Sequence, residues 1–235
     1  MQLIPVIDIR GGLAVHARAG NREAYQPLET PYAGNADPVE VAVGLTKAFG
    51  NKTLYVADLD SIEGGSANVN ICRRIVETLP GVEVWLDNGQ QRLDHAGLGG
   101  AENVSHVLGT ESLPDVMSYQ TAALESAVAP ILSLDYSAEG FIGPKKLLEA
   151  SQLWPRDVIV MTLARVGMGD GPDLVRLNHI ASVAGPNRRV FAAGGVRDLD
   201  DLSAVEKAGA HGVLVATALH SRKIKPDDLN EVPGF

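Results

Sequence analysis

The sequence predicts an α/β fold: a (β/α)8 TIM barrel built from two duplicated half-barrels, occupying residues 1–235 as one domain. Three observations carry this prediction. Short apolar runs alternate with stretches of helical spacing along the chain. Eight such runs can be counted. Segments late in the chain echo earlier ones at a nearly constant offset. Strand–helix alternation implies parallel pairing through right-handed crossovers, and eight units close a barrel where six or so leave an open sheet.

The eight runs are 3–7, 54–57, 82–86, 104–108, 131–134, 158–161, 190–193 and 213–215. They are followed in turn by Asp8, Asp58, Asp87, Gly109-Thr110, Asp135, Thr162, Gly194-Gly195 and Ala216-Thr217. Helical spacing marks 38–49, 68–79, 113–127, 173–183 and 199–208, with Val39, Ile71, Ile75, Leu177 and Leu202 among the apolar positions. Asp37-Pro38 and Asp198 read as helix starts. Two regions break the rhythm. Residues 10–36 form a long first βα-loop rich in Gly, Arg, Asn and Pro, and loops of that length in compact domains usually serve function. The tail 220–235 leaves room for about one turn of a final helix, or for contact with a neighbour in its place.

Composition narrows the class. Hydrophobic residues make up 45% of the chain and charged residues 21%, enough apolar material for a core. Aromatics are only 5%, which suits a parallel sheet buried on both faces by small and branched side chains. A net charge of −9 makes nucleic acid a poor partner. The single cysteine, Cys72, excludes an internal disulfide framework and a thiolate metal cluster. The six histidines show no metal-ligand spacing, so no metal is expected. No apolar run reaches the roughly 18 residues of a membrane span, and residues 2–8 read as a strand rather than a signal peptide. A cytoplasmic protein is expected.

The internal echo pairs the turn Asn88-Gly89 with Gly194-Gly195, and Gly109-Thr110 with Ala216-Thr217. The offset is 106 residues from Gly89 to Gly195 and 107 from Thr110 to Thr217. Duplication explains a constant offset better than the general likeness of βα units does.

In such a barrel, residues after the strands meet at one mouth. Asp8 and Asp135 follow strands one and five, which lie opposite each other. Two facing carboxylates can divide general base and general acid work if their surroundings separate their pKa values; alternatively, each caps its own loop. Gly194 and Gly195, with Ala216 and Thr217 on the next strand, are placed to cradle a phosphate between strands seven and eight. The matching first-half set, Gly89, Gly109 and Thr110, is altered by Asp87 and Asn88. It would take a weaker anion, a neutral polar group or nothing. Arg165, in a loop with Gly167, Gly169 and Gly171, reads either as part of a lid that reaches an anion or as a solvated linker. Arg18 and Arg22 are candidate anion clamps in the first loop. A small phosphorylated metabolite is the expected partner.

These features together resemble the histidine-biosynthesis barrels of the HisA/HisF superfamily. The resemblance runs through Ile4-Pro5-Val6-Ile7-Asp8, Val56-Ala57-Asp58-Leu59-Asp60, Leu108-Gly109-Thr110, Ser133-Leu134-Asp135, Thr162, the segment from Phe191 to Arg197 and the segment from Gly212 to Leu219. It implies two phosphate sites and a cofactor-independent Amadori rearrangement of an aminoaldose to an aminoketose. By the same resemblance Asp8 is the general base, Asp135 the general acid and Thr162 an assisting polar group. Three departures stand out. The family's glycine run after strand three is here Asp87-Asn88-Gly89, its acid after the strand-six threonine is Leu163, and its glycine after strand eight is Ala216. The first loop is more similar to a divergent HisA-related branch associated with methanopterin-type one-carbon carriers. The expected activity is a HisA-like isomerase acting on a phosphoribosyl-aminoimidazole or similar amino-sugar. A related enzyme on a different singly phosphorylated substrate and a non-catalytic ligand-binding barrel are the alternatives.

Overall fold

The computed structural model describes residues 1–18, 24–89, 98, 101–125 and 128–231. Eight strands form the barrel: β1 (Gln2–Arg10), β2 (Thr53–Asp58), β3 (Glu83–Asp87), β4 (Val104–Gly109), β5 (Ile131–Ser137), β6 (Asp157–Thr162), β7 (Arg189–Ala193) and β8 (Gly212–Val215). Each pairs in parallel with the next, and β8 pairs with β1 from Gln2↔Gly212 to Pro5↔Val215, which closes the sheet. The protein is a (β/α)8 TIM barrel. Pro5 sits where β1 passes from its β8 partner to its β2 partner, whose pairing begins at Val6↔Tyr55. A residue without an N–H is tolerated at such a hand-over.

Each expected helix forms within a few residues of its sequence bounds. The helix Pro38–Phe49 shows why. Asp37 caps it by accepting from the N–H groups of Val39 and Glu40, Pro38 opens its first turn, and Gly50 ends it at φ 61°. Its apolar stripe, Val41, Ala42 and Leu45, is fully buried against the outside of the barrel. Shorter helices at Leu59–Ile62 and Lys145–Glu149 were not legible in the sequence. After β8 the chain forms the single helical turn Thr217–His220, and the tail adds the 3-10 turn Asp227–Glu231.

Inward positions fall into three tiers. The floor is polar and paired: Gln2 donates to Thr53 at 2.7 Å, Ser105 to Glu83 at 2.6 Å, and Arg189 donates two hydrogen bonds to Asp157 at 2.5 and 2.6 Å. The middle tier is apolar and includes Ile4, Tyr55, Trp85, Val107, Ile159, Phe191 and Leu214. Trp85 and Phe191 meet edge to face with ring centroids 4.8 Å apart. The upper tier holds the chemistry. A barrel filled in layers leaves no pore, so ligands reach it only at the top.

The long first loop is more ordered than expected. β1 runs past the rim to Arg10, turns at Gly11 and Gly12 (φ 57° and 79°), and returns as the strand Leu13–His16, paired antiparallel with β1. Two residues with positive φ form the hairpin turn that matches strand twist, so this Gly-Gly was a readable signal. Gln26–Pro27 adds a third strand, and Gly140–Ile142 folds back on β5 in the same way.

The Trp85–Phe191 contact makes the middle tier a test of the layered packing. Phe191→Ala should lower unfolding free energy in urea by about 3–5 kcal/mol. A loss below about 1 kcal/mol would show that the tier is not close-packed.

Candidate active site at the barrel mouth

The upper tier opens into a cavity that is continuous with solvent. Strand alternation decides what enters it. On β1 the inner cluster takes Ile4 and Val6, so Asp8 points the same way and lines the cavity. On β5, Ile131 is inward, which brings Ser133 and Asp135 to the same face. Strands β1 and β5 lie four strands apart around an eight-strand ring, so Asp8 and Asp135 approach the cavity from opposite sides.

Asp135 is 3% exposed and held from several directions. Ser133 donates to Oδ1 at 2.6 Å, the Glu111 N–H to Oδ2 at 2.9 Å, and the Thr110 hydroxyl to Oδ2 at 3.3 Å. The Asp135 N–H donates to the Thr110 hydroxyl oxygen at 2.9 Å. Burial pushes the Asp135 carboxyl up to about 8, and the nearby carboxylates of Glu111 and Asp87 add to it, against the pull of the Ser133 and Glu111 hydrogen bonds. At neutral pH this acid holds its proton. Beside it, on β3, Asp87 accepts from the Tyr55 hydroxyl at 2.9 Å. Burial and the Asp87 charge drive the Tyr55 phenol well above its ordinary value, so Tyr55 keeps its proton and donates a hydrogen bond to Asp87.

The β7–β8 side has the opposite character. Gly194 and Gly195 adopt φ 99° and 89°. A Cβ on Gly194 would lie 2.5 Å from the Thr162 carbonyl oxygen, and one on Gly195 would lie 2.3 Å from that of Gly171, so only glycine fits. Ala216 and Thr217 line the cavity beside them. So do Arg197 and Lys223, the two cations of the described lining. Arg197 is pinned by Asp201, which takes its N–H at 2.9 Å, Nε at 2.8 Å and Nη2 at 2.8 Å.

Several expected site residues are placed elsewhere. Thr162 does not line the cavity. Ile159 and Met161 are the inward residues of β6, which turns Thr162 toward the layer between barrel and helices, beside Pro172, Asp173 and Leu177. Arg165 does not reach the mouth either. Its guanidinium donates to the carbonyl of Gly171 at 2.9 Å and tethers its own loop. That loop packs closely on the first one: a Cβ on Gly167 would lie 2.2 Å from the Ala17 carbonyl oxygen. Arg18 is exposed outside the cavity lining, whereas Ala17 lies within it. Arg22 lies outside the described residues, as does the part of the repeat from Gln90 onward. In the first half-site, Thr110 is fully buried and bound to Asp135, and Gly109 separates Asp135 from Asp87. The Gly89 N–H donates to Asp87 Oδ1 at 3.3 Å. Gly109, Thr110 and Gly89 thus pack against or bind the carboxylates of Asp87 and Asp135.

Sequence reasoning missed Tyr55, Glu111, Ser133 and Lys223. Ser133 was readable, since it lies two residues before Asp135 on the same strand face. The motif Asp58 to Asp60 proves structural. Asp58 accepts from the backbone and side chain of Asn68, both at 2.7 Å, and Asp60 takes the Gly11 N–H at 2.7 Å. Among the described residues no group of three or more His, Cys, Asp or Glu is arranged to hold a metal ion, and no helix is long and apolar enough to cross a membrane.

Barrel and mouth together define the class, and comparison with known proteins gives the family. The chain matches the family described as "Histidine biosynthesis protein" over residues 2–225, and it belongs to that family. It is 28% identical to an uncharacterized protein of Methanocaldococcus jannaschii over 99% of this chain and 97% of that one. It is similar to imidazole-4-carboxamide isomerases whose names carry two 5-phosphoribosyl groups, the ProFAR isomerases. Identity is 27% with that of Prochlorococcus marinus, over 99% of this chain and 93% of the relative. It is 30% with that of Pyrobaculum aerophilum, over 95% and 97%.

A carboxyl held neutral in the fold but free to ionise in the unfolded chain makes stability fall as pH rises, from near 4 up to about 8. Asp135→Asn removes that dependence. Between pH 5 and pH 8, its unfolding free energy should gain on the parent's by about 1–3 kcal/mol. Parallel pH profiles for the two proteins would show instead that Asp135 is ionised in the fold.

Proposed function

We propose that this protein is a HisA-like isomerase that carries out an Amadori-type rearrangement on a phosphorylated amino-sugar. The observation that carries the reading is the pair of opposed acids in different environments: a buried, proton-holding Asp135 facing Asp8 across one cavity. The family's isomerase relatives support the reaction class.

In the proposed sequence, the substrate phosphate rests against Gly194, Gly195 and Thr217, with Arg197 and Lys223 supplying positive potential. Asp135 gives its proton to the ring oxygen of the aminoaldose as the C1–O bond breaks, leaving an iminium at C1. Asp8 takes the proton from C2. The resulting enaminol tautomerises to the aminoketose, with no net gain or loss of atoms or electrons, so no redox cofactor is required. Burial matters twice. It keeps Asp135 protonated at working pH, and it strengthens the interactions around the developing charge. Thr162 has no part in this scheme, since its side chain lies on the other face of β6.

The test is a direct assay of purified protein with ProFAR and with related phosphorylated aminoaldoses, beside Asp8→Asn and Asp135→Asn. Each variant should lose at least about 100-fold in kcat with its fold intact. The parent rate should decline as pH rises through about 8, where Asp135 gives up its proton. Turnover that survives both substitutions would reject the two-acid mechanism, and absence of turnover on every aminoaldose phosphate would reject the reaction class.

A further inference from the structure

The two half-sites of the mouth dispose of their donors in opposite ways. In the first half, three described groups that could grip an anion are bound to carboxylates. The Gly89 N–H goes to Asp87, the Glu111 N–H to Asp135, and the Thr110 hydroxyl to Asp135. In the second half, the N–H groups of Gly195, Thr217 and Ala218 have no acceptor among the described residues, and the cavity's described cations, Arg197 and Lys223, follow β7 and β8. The charge of the lining is split along the same line. Asp87, Glu111 and Asp135 come from β3 to β5, while Arg197 and Lys223 sit with the glycines, next to Asp8 on β1, which pairs with β8.

Gly109 shapes the space between the acids. A Cβ there would stand 3.1 Å from Asp135 Oδ2 and 3.5 Å from Asp87 Oδ2, so glycine at this position lets the two carboxyls stand close on either side of β4. Tyr55 orients Asp87 from the neighbouring strand at 2.9 Å. A phosphate on this side of the cavity would meet the Asp87 carboxylate, with the Gly89, Glu111 and Thr110 donors already committed. An ammonium or amide N–H there would meet acceptors.

We propose that Asp87 is a specificity-determining residue: it excludes a second phosphate from the first half-site and selects a singly phosphorylated substrate whose far end presents an amine to Asp87. This rests on the reading of the β7–β8 side as the phosphate cradle. It separates this protein from an isomerase that must hold two phosphates, one at each side of the mouth.

Calorimetric titration tests it with three probes at pH 7: inorganic phosphate, the pair glucosamine 6-phosphate and glucose 6-phosphate, and fructose 1,6-bisphosphate. The expected results are one inorganic phosphate per chain and about tenfold tighter binding of the amino sugar phosphate than of its neutral twin. The bisphosphate should bind no better than the neutral monophosphate. In Asp87→Asn the amino preference should shrink to about unity, and the bisphosphate should gain about tenfold. Two inorganic phosphates per chain, or an amino preference absent from the parent protein, would overturn the proposal and leave the isomerase reading standing. No inorganic phosphate bound at all would overturn the cradle and the proposal with it. The comparison among ligands in the parent protein decides the matter even if Asp87→Asn fails to fold.

Discussion

Everything at this mouth depends on one constraint, the alternation of side chains along parallel strands whose register is fixed by closure. Once β8 pairs with β1, no strand can slip by a residue without turning its apolar set inside out. Closure therefore settles which residues meet. Asp8, Tyr55, Asp87, Gly109, Asp135, Met161 and Ala193 all take inward positions, and Thr162 cannot. The polar floor and apolar middle tier fill the barrel below them. The only space left for a ligand is above that packing.

Packing also sets the electrostatics. Asp135 is an acid placed where water is excluded and where two further carboxylates stand close. Three donors orient it, yet they do not outweigh the loss of hydration. A proton is retained at the point where the proposed chemistry needs one. On the opposite side the backbone supplies the favourable potential, through glycines that no side chain could replace. The mouth is thus polarised, with Asp87, Glu111 and Asp135 toward β3–β5 and open donors with two cations toward β7–β8, next to Asp8 on β1. Duplicated turns at Gly89 and Gly195 share their positive φ but not their environment, because Asp87 precedes one and Ala193 the other.

Much of the fold was legible because each barrel strand is a short apolar run and the helices after Asp37 and Asp198 begin at recognisable caps. The first-loop hairpin escaped because its strands are brief and one includes a proline, although Gly11-Gly12 marked its turn. The acids Asp8 and Asp135 were legible because they end strands that must oppose each other. Thr162 was misplaced for a physical reason. A strand buried on both faces shows apolar residues at every position, so sequence does not reveal which parity points inward. Asp87 was read as damage to an anion site. Its meaning depends on Tyr55 and Gly109, which lie on neighbouring strands, and such lateral contacts follow only from register. Arg165 was open to two readings, an arm that reaches an anion or a solvated linker, and its own loop supplied acceptors at Asp170, Gly171 and Pro172.

The most direct measurement is a carboxyl-carbon NMR titration of Asp135 in protein labelled at aspartate, with the resonance assigned by its loss in Asp135→Asn. Burial among Asp87 and Glu111 predicts a midpoint near 8 that moves down when Asp87 is replaced by Asn. A midpoint near 4, unmoved by that replacement, would mean that Asp135 is ionised at neutral pH and does not hold the proton that the proposed chemistry requires.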